Sequence, residues 1–153
     1  MKLVNYTVNG ITRAGAIVKE QVIDLNHAFE AKLQAEGEYR YKEIAHAYVP
    51  ATTDGIYEGG KKSIELAQQA VDFILENPNA SITKAVFDRN EVHVGAPVLN
   101  PGKIICVGHN YREHILEMGR ELPTHPVIFA KFANTLLGPD DDIPFYPISE
   151  QLD

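Results

Sequence analysis

Apolar and polar positions alternate at the start of the chain, and the period changes as it proceeds. Residues 2–8, KLVNYTV, alternate well enough for a half-buried strand. Asn9-Gly10 follows, the strongest short hairpin signal, because a type I′ turn needs positive φ at both central positions. Residues 11–18, ITRAGAIV, return as a second strand, and Lys19-Glu20 turns the chain into a third, QVIDL. The expected result is an antiparallel meander. From Asn26 the spacing becomes helical, with Ala28, Phe29, Ala31, Lys32, Leu33 and Ala35 on one stripe and Gly37 as the stop. Residues 40–48 predict a short helix ended by Pro50, and 50–60, PATTDGIYEGG, a loop.

The clearest helical period runs over 61–76. Ile64, Leu66, Ala67, Ala70, Val71, Ile74 and Leu75 form its apolar face, and Asn77-Pro78 ends it. Two short strands are expected at 82–87 and 91–94, with a connection at Pro97 and Asn100-Pro101-Gly102. A domain boundary belongs near residue 95, closing a small α+β domain over 1–95. Beyond it, Ile104-Ile105-Cys106-Val107 reads as a buried strand ended by Gly108. Asn110 is placed to cap a helix over 110–118, and Gly119 to stop it. A loop over 121–126 leads to a strand at 127–131, a segment at 134–137 and an acidic turn at 138–142. Two prolines in 143–148 restrict any strand there to an edge or a start.

Composition narrows the function classes. With 44% hydrophobic and 23% charged residues, the chain is an ordinary globular protein. A formal charge of −7 without a clustered basic face argues against nucleic acid and anionic membrane surfaces. No apolar run approaches the ~20 residues of a membrane helix, and MKLVNYTVNG lacks the apolar core of a signal peptide. One cysteine allows no internal disulfide, and within its apolar run Cys106 reads as a buried small hydrophobe. A cytoplasmic protein is expected.

Candidate chemistry concentrates in residues 103–131. On a helix, Tyr111, His114 and Glu117 share a stripe, which sets an imidazole beside a carboxylate. Such a pair serves as a general base, the carboxylate orienting the ring and favouring the proton it takes. The plainer reading is a solvated helix face. Elsewhere the plainer reading prevails. Arg13 is expected as an exposed strand residue. His27 and His46 lack partners at metal-ligand spacing and read as surface or cap residues. Gly59-Gly60 does not meet phosphate-loop spacing. The three aspartates at 140–142 read as a solvated turn with too few oxygens for a calcium site.

The run KIICVGHNYREHILEMG, followed by P-V-I-F-A-K, L-L-G-P-D-D-D-I and S-E-Q-L-D, resembles the fumarylacetoacetate hydrolase family in order and spacing. The likeness is specific over 95–153 and loose before it. Phe132 stands where many relatives have proline, and His109 where other residues are usual. The resemblance implies an α+β chain: a small N-terminal domain, then, over 96–153, the opening strands of a β-rich catalytic domain that is incomplete here. It implies a metal-dependent enzyme that hydrolyses a carbon–carbon bond in an acylpyruvate-type diketo acid. Oxaloacetate decarboxylation and keto acid isomerisation are the family's alternatives. His114 and Glu117 match the water-activating dyad. Lys131 matches the family lysine that meets an oxyanion or a substrate carboxylate; on residues alone it is a surface lysine. Tyr111 joins it as a substrate-binding residue. Mg2+ or Mn2+, or Ca2+, is the implied cofactor, and a homodimer the implied assembly. The family's acidic metal ligands follow the segment matching S-E-Q-L-D, so they are expected beyond Asp153 and none is assigned within the chain. These 153 residues alone are then expected to be inactive and to bind metal poorly. The rival reading is a non-catalytic remnant that binds a partner or pairs with itself.

Overall fold

A computed structural model describes residues 1–78, 85–148 and 150. The chain divides into two compact units, Met1–Leu99 with Leu137–Asp153, and Asn100–Leu136. Architecture is α+β, as the periodicities imply.

The first unit is built on the expected meander. Strands β1 (Lys2–Val8), β2 (Ile11–Val18) and β3 (Gln21–Asp24) pair antiparallel in sequence order. Asn9 and Gly10 hold φ of 50° and 77°, the left-handed geometry of the I′ turn. β4 (Val86–Asp88) and β5 (His93–Gly95) complete a five-stranded sheet of order β4-β3-β2-β1-β5. The strand expected at 82–87 is β4; residues 81–84 lie outside the described residues. A 3-10 turn over Arg89–Glu91 joins the two short strands.

Strand alternation gives the sheet two apolar faces. Ala14, Ala16, Ile23 and Leu25 pack with the helices, namely α1 (Leu25–Ala35), α2 (Tyr41–Tyr48), α3 (Thr53–Glu58) and α4 (Gly60–Glu76). Val4, Tyr6, Val22 and Val94 form a second cluster on the other face. α4 buries Ala67, Ala70, Val71 and Ile74 as expected, but Ile64 and Leu75 are exposed, because the buried arc is narrower than the apolar one. α3 replaces the expected loop. Thr52 accepts from Gly55 N, capping the turn, and buried Thr53 and Ile56 give it a face to hide.

A polar cluster sits on the second face, and it corrects the expectation for Arg13. Tyr6, Arg13 and Asp24 come from three neighbouring strands. Asp24 is fully buried; its Oδ2 accepts from Arg13 Nε at 2.5 Å and from Tyr6 Oη at 2.5 Å. Arg13 Nη2 reaches Asp24 Oδ1 and Asn26 Oδ1, each at 3.2 Å. Asp24 also caps α1, accepting from His27 N at 2.8 Å, so His27 belongs to the first turn of that helix. Its Nε2 lies 3.4 Å from Arg13 Nη2, while its buried Nδ1 makes no hydrogen bond. Gly15 is what admits the tyrosine. A Cβ there would lie 2.8 Å from Val22 Cγ1 and 2.9 Å from Tyr6 Cδ1. Burial, then the charge and hydrogen bond of Asp24, raise the Tyr6 pKa well above its ordinary value. The hydrogen bond to Asp24 raises that of Arg13.

The acidic turn is anchored rather than simply solvated. Asp141 accepts from Gly138 N at 2.6 Å and pairs with His93 Nε2 at 3.1 Å, and Asp140 lies 3.7 Å from Arg89. No strand forms among the described residues of 143–148.

Candidate active site

The second unit is a two-stranded ribbon with one long excursion. β6 (Ile104–Gly108) pairs antiparallel with β7 (Val127–Lys131), running from Ile104↔Lys131 to Gly108↔Val127. Residues 109–126 therefore leave and return at one end of the ribbon. The apolar run of β6 is not a buried strand as expected: Ile105 and Val107 are exposed, Cys106 is half-buried, and every residue of β7 is exposed. Hydrophobicity marks a strand without stating which neighbour covers it.

Helix α5 (Arg112–Glu117) lies within the excursion. Its N-cap is Tyr111, not Asn110 as expected, and no side chain caps its N–H groups. Its C-terminus is well closed. Gly119, at φ 67°, donates to Leu116 O at 3.0 Å, and Arg120 N donates to Ile115 O at 3.1 Å. These two bonds form a Schellman motif, which needs a left-handed residue and favours glycine. Ile115 is the one buried residue of the helix.

This short helix brings His114 and Glu117 together. His114 Nδ1 lies 3.8 Å from Glu117 Oε2, with side chains 65% and 83% exposed. The distance is an ion-pair contact and too long for a direct hydrogen bond. The pair is open to solvent, so a water or a small substrate reaches either group. Tyr111 precedes the helix with extended backbone (φ −118°, ψ 114°) and is 73% exposed. Its side chain is thus not on the helical stripe that spacing predicted. Lys131 is at the far end of β7, about 13 Å along the strand from Val127 by strand rise. Its ammonium sits 5.8 Å from the centroid of the Phe129 ring, two residues back on the same strand face.

A contact that spacing did not reveal closes the excursion: Arg120 Nη1 lies 3.0 Å from His109 Nε2. The signal in the sequence was His109 itself, the unusual residue after Gly108. Among the described residues, no three His, Cys, Asp or Glu side chains gather as a metal-holding group. His114 and Glu117 offer two donors, short of the six-ligand shell of a hard divalent cation. No helix among the described residues is long and apolar enough to cross a membrane.

Comparison with known proteins bears on the family. Residues 103–153 match the model of the fumarylacetoacetate (FAA) hydrolase C-terminal domain. Oxaloacetate tautomerase FAHD2A, mitochondrial, from Homo sapiens is 34% identical over 105 residues, covering 69% of this chain and 31% of that protein. The Bos taurus protein of the same name is 34% identical over 132 residues, covering 86% of this chain and 34% of the relative. Oxaloacetate tautomerase YisK from Bacillus subtilis is 36% identical over 98 residues, covering 61% of this chain and 32% of the relative. The chain thus spans about a third of the length of the curated relatives it matches. A crystal structure from Mycobacterium smegmatis, provisionally described as HpcE, superposes with a TM-score of 0.51 at 24% identity, covering 96% of this chain and 41% of the other. That likeness concerns the fold alone. By the matched segment and the curated relatives together, this chain belongs to the fumarylacetoacetate hydrolase family.

Proposed function

We propose that this chain supplies the acid–base dyad of an enzyme that interconverts the keto and enol forms of a small keto acid, with oxaloacetate as the leading candidate. The observation that carries the reading is the exposed pair of His114 and Glu117 at 3.8 Å. Tautomerisation asks only for proton transfer, which an imidazole beside a carboxylate is suited to perform. His114 takes the proton from C3 of the keto acid. The C–H electron pair becomes the C2–C3 double bond, the carbonyl π pair moves to the oxygen at C2, and that oxygen takes a proton from solvent while His114 later returns its own to solvent. Glu117 holds the imidazolium that forms. Lys131 meets the enolate oxygen or a substrate carboxylate, and Tyr111 lines the substrate, roles carried by the family likeness. The names of the relatives favour this reaction over carbon–carbon hydrolysis, in which the same dyad would activate a water.

Enzymes of this family generally use a divalent metal, which polarises a substrate carbonyl when bound. The described residues hold no donor set that fits one, so no step here passes through it. Mg2+ or Mn2+ (or Ca2+), a homodimeric assembly and a cytoplasmic location belong to the same proposal.

The test is the enol–keto rate of oxaloacetate, followed by ultraviolet absorbance with the protein. A general-base step contributes ~10²–10⁴-fold, so His114→Ala should lower kcat by about that factor. Glu117→Gln should cost a large part of it, and the double variant little more than His114→Ala, because groups acting as one unit are non-additive. Multiplicative losses, or near-normal kcat in His114→Ala, would show the pair to be a solvated helix face.

A further inference from the structure

We infer that His109 and Arg120 form a clasp at the neck of the excursion, and that Arg120 is a positioning residue for the helix bearing His114 and Glu117. Its catalytic meaning rests on the dyad proposed above; the clasp itself does not.

α5 has six residues, and helices that short do not hold themselves together in water. Its supports are few. The Schellman motif closes the C-terminus, Ile115 is buried, and the N-terminus has no side-chain cap. His109 stands two residues before the N-cap and Arg120 two residues after Met118, the C-cap. The bond between them, at 3.0 Å, therefore joins the chain just outside both helix ends. It closes the loop that contains the helix, so that neither end moves without the other.

The backbone at His109 points the same way. Its φ is 50°, a left-handed conformation uncommon for a residue other than glycine. Such a conformation persists where surrounding contacts hold it. Here it accompanies the turn from β6 into the excursion, and the bond to Arg120 is the contact the ring makes. The chemistry also fixes a proton. A guanidinium only donates, so Nε2 of His109 accepts, and the neutral ring must carry its proton on Nδ1.

Two measurements on the protein test this. The first is the 15N spectrum of the His109 imidazole in its neutral form. The proton should be on Nδ1 in the wild type, and Arg120→Ala should remove that preference. The second is amide hydrogen exchange at Ile115, Met118 and Gly119, whose N–H groups bond within the helix or its cap. Arg120→Ala should speed that exchange by about 2- to 10-fold, the effect of one hydrogen bond. Arg120→Lys should restore part of it, since an ammonium donates to one point without the guanidinium's planar fork. His109→Gly separates the clasp from backbone strain. Glycine relieves the left-handed residue, so exchange would slow if strain alone mattered. Faster exchange supports the clasp. Exchange as slow as the wild type, or a wild-type ring protonated on Nε2, overturns it. In the whole protein, Arg120→Ala should lower kcat more than it changes KM. Faster exchange with an unchanged kcat would leave the clasp standing but overturn Arg120 as a positioning residue, while the dyad itself stands or falls with His114→Ala.

Discussion

Each unit of this protein sets a carboxylate beside a nitrogen base, and the two pairs are held in opposite ways. In the first unit Asp24 is fully buried, with Arg13, Tyr6 and the amide of His27 filling its oxygens. In the second, His114 and Glu117 are 3.8 Å apart, largely exposed, on a helix of six residues. A buried ion pair leaves no room for a substrate, and removing one partner strands a charge away from water. An exposed pair contributes little to stability but is free to exchange protons with what arrives. Closeness of acid and base therefore does not mark a reactive site; access does.

The largest break in this comparison is Asp24→Asn. Asparagine keeps the shape and, through Oδ1, the ability to cap α1, but it removes the charge and puts an amide donor where Oδ2 accepts from Arg13 Nε and Tyr6 Oη. Arg13, 20% exposed, loses its counter-charge. Breaking a buried pair costs roughly 3–5 kcal/mol, and the partial access of Arg13 places the loss near about 3 kcal/mol. Denaturant unfolding reads it. Arg13→Met added to Asp24→Asn should recover part of the loss, because the two side chains are coupled. A single-variant loss below about 1 kcal/mol would mean that solvent screens this pair as it does a surface one.

Tyr6→Phe comes next. It keeps the ring beside Phe87, whose centroid is 5.2 Å away, and deletes the hydroxyl that donates to Asp24. A hydrogen bond to a charged group contributes ~1.5–3 kcal/mol, so a loss of about 1.5 kcal/mol is expected at neutral pH. The pH dependence follows from the raised pKa of Tyr6. The folded protein keeps the proton where the unfolded chain, titrating near 10.0, gives it up. This stabilisation is fully present below pH 10 and declines as pH rises above it. Arg13, whose own pKa is raised by its hydrogen bond to Asp24, stays charged throughout. The gap between wild type and Tyr6→Phe should therefore narrow above pH 10. Unfolding midpoints at pH 7, 9 and 10.5 check it, and a constant gap would mean that Tyr6 titrates as it does in the unfolded chain.

The same contrast explains what was legible in the sequence. Asn9-Gly10, Gly37 and Gly119 announced their turns because a left-handed residue is a local requirement. The spacing of His114 and Glu117 was legible for the same reason. Arg13 was not, because Asp24 lies eleven residues away and meets it only through the register that sets Gly15 opposite Asp24. α3 was hidden by its Thr and Gly content, although the cap of Thr52 on Gly55 is local. The excursion after Gly108 turned on a left-handed His109 instead of capping at Asn110, which moved Tyr111 out of the helix. The burial of β6 was misread because an apolar run does not say what packs on it.

The smallest effect expected is on the stability of the second unit when its dyad is removed. His114 and Glu117 form an i,i+3 pair on a surface helix, a contact that contributes ~0.2–0.5 kcal/mol and is screened by salt. His114→Ala loses that contact and gains the better helix propensity of alanine, which offsets it. Glu117→Gln keeps propensity and loses only the charge. Each variant should therefore unfold within about 0.5 kcal/mol of the wild type, and the difference should shrink further in molar salt. Thermal unfolding of both variants beside Asp24→Asn measures the two units' pairs on one scale. A loss above about 1 kcal/mol in His114→Ala would make the exposed pair a structural contact like the buried one, and any fall in kcat would then reflect a disordered helix rather than a missing base.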